Sequence, residues 1–136
     1  MIPNLPRGGP VIGIGTDLVD CDRIEKILQR QGDAFLNKVF TPSEIEYCMK
    51  MKRPAPYLAA RFAAKEAVAK AFTTGIGEAL DWKSIGVIKG ERDQPEVEFD
   101  EKGITLLKAV GGVRVLLTLT HTDNQALAFA AIIGKE

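Results

Sequence analysis

A chain of 136 residues, 46% hydrophobic and 26% charged, has the size of one folding unit, and its core is small enough that self-association would ease its surface-to-volume ratio. Lysine and arginine balance aspartate and glutamate at 18 each, so no overall field points to nucleic acid, and a charged partner must be met by a local patch. Cys21 and Cys48 form neither a disulfide framework nor a metal-ligand spacing, and no apolar run is long enough to cross a bilayer, so a cytoplasmic protein with reduced thiols is expected.

Residues 1–10 carry three prolines and two glycines and no continuous apolar stretch. They are unlike a secretory signal and read as a flexible arm ahead of a single domain over 11–136. Val11 to Thr16 is an apolar run ending at Asp17, the first expected strand. A helix follows over about Cys21 to Gln31: Asp20 and Asp22 suit its positive end, Ile24, Ile27 and Leu28 make an apolar face, and Gly32 is a stop. Arg23, Lys26 and Arg30 share another face of it. Thr41-Pro42-Ser43-Glu44 is a capping box that starts a second helix, ended by Pro54 and Pro56. The longest helix, about Pro56 to Thr73, is rich in Ala, Leu, Lys and Glu and stops at Gly75 and Gly77.

The remainder reads mostly as strand. Ser84 to Lys89 and Pro95 to Phe99 are short, and Asp100 can cap a helix ending near Gly111 and Gly112. Val113 to Thr120 alternates, Thr122-Asp123-Asn124 is a turn, and Ala126 to Ile133 returns as an apolar strand. Helices early and a hairpin late predict an α+β fold with a long helix on a mainly antiparallel sheet.

Several side chains admit two readings on spacing alone. Asp17 emerges at a strand end, as a turn residue or as part of a site. Glu66 and Lys70, four apart on the long helix, make either a surface ion pair or a carboxylate and an ammonium that together hold Mg²⁺ and the phosphate it neutralises. Lys50, Lys52, Arg53 and Arg61 are solvated charge or a phosphate-capturing cluster. His121, the only histidine, is a boundary residue or a contact for an anionic ligand. No second histidine and no nucleophile elbow supports zinc or a hydrolase triad, and the glycines match no nucleotide fingerprint.

Together the segments Gly13-Ile-Gly-Thr-Asp-Leu-Val19, Arg61-Phe-Ala-Ala-Lys-Glu-Ala67 with Lys70-Ala-Phe, Gly75-Ile-Gly77 and Leu119-Thr-His-Thr122 closely resemble the holo-acyl-carrier-protein synthases, the short bacterial phosphopantetheinyl transferases. The resemblance runs in order from about Val11 to Ile133. It implies a phosphopantetheinyl transferase fold, a homotrimer with active sites between subunits, and transfer of 4′-phosphopantetheine from coenzyme A to an acyl carrier protein, with release of 3′,5′-adenosine diphosphate, in fatty acid biosynthesis. Asp17 and Glu66 match the two magnesium ligands. Glu66 or a metal-held water would be the general base, and Lys65 would stabilise or protonate the leaving phosphate. Lys52, Arg61, Lys70 and His121 match coenzyme A-binding positions, and Arg23, Lys26 and Arg30 lie on the carrier-docking helix. Thr73 departs from the family, which often has Gly there, and residues 1–10 extend past the usual start and are given no function. The competing readings are a non-catalytic module for an acidic helical partner and another magnesium-dependent nucleotide diphosphate enzyme.

Overall fold

The computed structural model describes residues 3–136; Met1 and Ile2, the tip of the expected arm, lie outside them. Strand β1 (Val11–Asp20) runs past the apolar segment because its backbone keeps pairing with the last strand as far as Asp20 opposite Gln125. Helix α1 (Cys21–Gln31) has the expected bounds and ends where Gly32 turns to φ 55°, a conformation that favours glycine. Helix α2 (Asp33–Val39) lies outside the expected elements. Seven residues are too few for a periodic signature, and the helix is held by burial of Phe35, Leu36 and Val39.

Helix α3 (Pro42–Met49) begins at the expected capping box, with both reciprocal bonds formed between Thr41 and Glu44. Helix α4 (Ala55–Ala71) is the longest, and its rich alanine content lets it be enclosed on nearly all sides. A single tight turn at Trp82–Ser84 leads into β2 (Ile85–Lys89), which pairs antiparallel with β3 (Pro95–Phe99). Helix α5 (Glu101–Ala109) is capped by Asp100, whose carboxylate accepts from Gly103 N at 2.9 Å. Strands β4 (Gly112–His121) and β5 (Gln125–Gly134) close the chain as a hairpin.

The sheet order is β1-β5-β4, all antiparallel, with β2-β3 as a separate ribbon. The α+β architecture expected from the sequence is therefore the one formed. At the end of the N-terminal segment, Gly9 and Gly134 pair through N–H and C=O at 2.9 Å. Helix α4 covers one face of the sheet; the opposite face, carrying Ile14, Leu18, Leu116, Leu127 and Phe129, is uncovered in the single chain.

Candidate active site

The close approach of α4 to β1 builds the site. A side chain at Gly15 would collide with the carbonyl of Ala67, and one at Gly13 with that of Ala71, so only glycines let helix and strand touch backbone to backbone. Asp17 is the next residue on that face of β1, and the contact brings it beside the middle of α4. Its Oδ1 lies 3.1 Å from Lys70 Nζ, which also donates to the Thr16 carbonyl at 3.0 Å. Glu66, one turn before Lys70, is half-buried in the same cluster. Its burial and the neighbouring Asp17 carboxylate raise its pKa, opposed by Lys70 and Arg23.

The chain thus joins Asp17 of β1 to Glu66 and Lys70 of α4, with the Lys70 side chain 52% and that of Asp17 17% exposed. Two carboxylates, one of them pushed toward protonation by burial and by the other, form a donor set that a divalent cation would relieve. Among the described residues no group of three or more His, Cys, Asp or Glu side chains gathers. Substrate oxygens and water would have to complete the coordination, which suits Mg²⁺ better than a closed transition-metal cage.

Arg23 connects this cluster to α1: its guanidinium lies 5.6 Å over the Phe62 ring, and its charge reaches Glu66. Arg23, Lys26 and Arg30 are exposed along one open groove. Of these three, Arg23 is the one whose charge reaches Glu66.

A second cluster lies on another side of α4. Arg61 is 93% buried, with its guanidinium 4.4 Å over the Tyr47 ring and Nε lacking any hydrogen-bond partner. Lys89 Nζ is also 4.4 Å from that ring, and His121 packs edge-on to Tyr57 at 5.1 Å. These side chains line a cavity of about 190 Å³. Arg61 and His121 are thus brought together at one cavity, whereas the resemblance pairs His121 with Lys52 at the nucleotide end of coenzyme A. Lys52 is exposed on the turn before α4 and does not line the cavity. Tyr47, Tyr57 and Lys89 carried no sequence signal, because nothing in their local pattern separates a cavity wall from an ordinary surface.

Lys65 needs correction. It is fully enclosed, its ammonium 2.8 Å from Glu44 Oε1 and donating to the carbonyls of Trp82 and Ile85. Burial lowers its pKa, and Glu44 pulls the other way. Adjacent helical residues point about 100° apart, so the neighbour of Glu66 faces the interior and cannot reach a leaving phosphate. Arg53, read as part of the basic cluster, is engaged with Glu25 at 3.4 Å, Asp22 at 3.5 Å and the Asp123 carbonyl at 2.6 Å. Burial raises both thiols, Cys48 to about 11, so neither offers a thiolate.

A profile of the 4'-phosphopantetheinyl transferase superfamily matches residues 13–130. The holo-[acyl-carrier-protein] synthase of Chlamydia trachomatis serovar D is 48% identical over 120 residues, covering 88% of this chain and 98% of the relative. Among solved structures, the holo-[acyl-carrier-protein] synthase from Neisseria meningitidis superposes with a TM-score of 0.84 at 36% identity, covering 90% of this chain and 98% of the other. The Helicobacter pylori protein of the same name, solved in complex with coenzyme A, superposes with a TM-score of 0.78 at 30% identity over 88% and 98%.

Proposed function

The chain belongs to the 4'-phosphopantetheinyl transferase superfamily, within its holo-[acyl-carrier-protein] synthases, and we propose that Asp17, Glu66 and Lys70 carry its transfer of 4′-phosphopantetheine from coenzyme A to a serine of apo-acyl carrier protein. One observation supports this assignment above the rest: two carboxylates far apart in sequence meet beside one ammonium at an open edge of the sheet.

In the reaction the serine Oγ forms a bond to the β-phosphorus of coenzyme A as the bond from that phosphorus to the bridging oxygen breaks. The electron pair leaves on 3′,5′-adenosine diphosphate. Catalysis of this kind needs position and charge neutralisation more than covalent chemistry. Asp17 and Glu66 would hold Mg²⁺, which when bound supplies a template and a Lewis acid for the diphosphate. Lys70 shares the negative charge of the diphosphate from beside Asp17. Glu66 or a metal-held water would accept the serine proton. Arg61 and His121 would take the nucleotide end of coenzyme A; the buried, unpartnered Nε of Arg61 favours this. Lys52 joins them only if the turn at 50–54 folds over the ligand.

Carrier proteins of this kind are acidic, and the exposed Arg23, Lys26 and Arg30 meet them by charge, steering encounter more than fixing affinity. The uncovered apolar face of the sheet favours a homotrimer in which each copy shields the others, with the active site between subunits. No helix of the described residues is long and apolar enough to cross a membrane. We place the reaction in the cytoplasm, in fatty acid biosynthesis, by a single domain spanning 11–136.

The test is the mass of apo-carrier incubated with coenzyme A, Mg²⁺ and the protein. A gain equal to the phosphopantetheine arm is expected, lost in Asp17→Ala and Glu66→Ala proteins that still melt cooperatively. Cleavage of coenzyme A without carrier would instead indicate a diphosphate hydrolase, and binding without reaction a docking module.

A further inference from the structure

Helix α4 must present Glu66 to Asp17, and apart from Leu58, Arg61, Phe62 and Val68 its buried side chains are mostly small. Eight of its seventeen residues are alanine. Such a surface offers few ridges to lock into grooves, and the backbone contact at Gly13 and Gly15 sets the distance from β1. A turn of about 20° would carry a carboxylate about 6 Å off the axis by about 2 Å. Misplacement of about 1 Å is enough to cost a reaction roughly a hundredfold.

The residue before Glu66 supplies what the alanines lack. Lys65 and Glu44 are enclosed at 0% and 1% exposure, and their 2.8 Å contact ties α4 to α3. Lys65 donates its other protons to the carbonyls of Trp82, in the turn before β2, and Ile85, the first residue of β2. Glu44 accepts from Thr41 N at 2.8 Å with one oxygen and from Val87 N at 2.9 Å with the other. The ammonium's three donors are all used, and both carboxylate oxygens are engaged, on three separate elements. Burying such a pair is a weak source of stability, since desolvation offsets the attraction. What it does provide is a single geometry.

We infer that Glu44 and Lys65 are positioning residues, the buried pair fixing the rotation and axial register of α4 and so holding Glu66 opposite Asp17. The inference rests on the reading of Asp17 and Glu66 as metal ligands. It gives the Lys-Glu dipeptide of the sequence two distinct duties, one side chain anchoring inward and the next acting outward.

Two variants test it. Glu44→Gln keeps the capping box and a carbonyl for Lys65; Glu44→Gln with Lys65→Met removes both charges. A core deletion away from the site, Leu36→Ala in α2, serves as the comparator for lost stability. For each, kcat, the KM for the carrier, the Mg²⁺ concentration giving half-maximal transfer and the Tm are measured. The folded pair variants should lose kcat and require more Mg²⁺, each by about 10–100-fold, with the carrier KM unchanged. Leu36→Ala should lower the Tm and leave both values in place. A pair variant that melts cooperatively with ordinary kcat and ordinary Mg²⁺ requirement overturns the inference. So does a comparator that shifts the Mg²⁺ requirement equally, or collapse of both pair variants, which would mark the pair as purely structural. Full-rate transfer by the unaltered protein without any divalent cation would strike the metal reading instead, and kcat alone would then judge the pair.

Discussion

Burial and the Asp17 carboxylate make ionised Glu66 costlier in the folded chain than in the unfolded one, where its pKa is near 4.5. The sign follows from proton binding. Between the unfolded value and the raised folded value the native state holds more protons, so stability falls as pH rises through that window and stays lower above it. Glu66→Gln should therefore raise the Tm at neutral pH, with the gain shrinking toward pH 4, while abolishing transfer; thermal melts across that range check it. Transfer by the unaltered protein should fall at acid pH, where protons compete with Mg²⁺ for the two carboxylates, and added Mg²⁺ should restore part of it. Asp17 and Glu66 were legible only as members of paired motifs, since either alone reads equally well as a turn or a surface ion pair. Lys65 was misplaced because a linear motif records adjacency and not the direction in which successive helical side chains point.

Helix starts and stops were written locally and could be read: the capping box at Thr41, the Asp100 cap and the Gly32 stop all form. Helix α2 was not legible, being held by contacts made only after folding. The far end of α4 carries a local conflict. Thr73, where the family resemblance implies glycine, sits at φ 65°, a strained conformation for a β-branched residue. Thr73→Gly should stabilise the protein by about 0.5–1 kcal/mol, net of the greater freedom glycine gives the unfolded chain, and raise the Tm by roughly 2–4 °C. A calorimetric scan decides, and an unchanged or lower Tm would show that the site pays no penalty for threonine.

One sheet with a helix layer on one face leaves the other face apolar, with Ile14 61%, Leu18 57% and Phe129 40% exposed in the single chain. The alternation in β4 was visible in sequence, while β1 and β5 read as apolar runs. Which of the two apolar faces belongs to the core and which to neighbouring copies was not, because both are written in the same residues. If the trimer forms there, Phe129→Glu should yield monomers by light scattering and lose transfer, although the residue lies on the face of the sheet opposite Asp17. The most direct measurement of the whole account is single-turnover transfer to apo-carrier as Mg²⁺ is titrated. The unaltered protein should show no transfer in chelator and a saturable rise with Mg²⁺, while Asp17→Ala and Glu66→Ala proteins stay inactive at saturating coenzyme A and carrier. Transfer by either variant at the rate and Mg²⁺ dependence of the unaltered protein would contradict it.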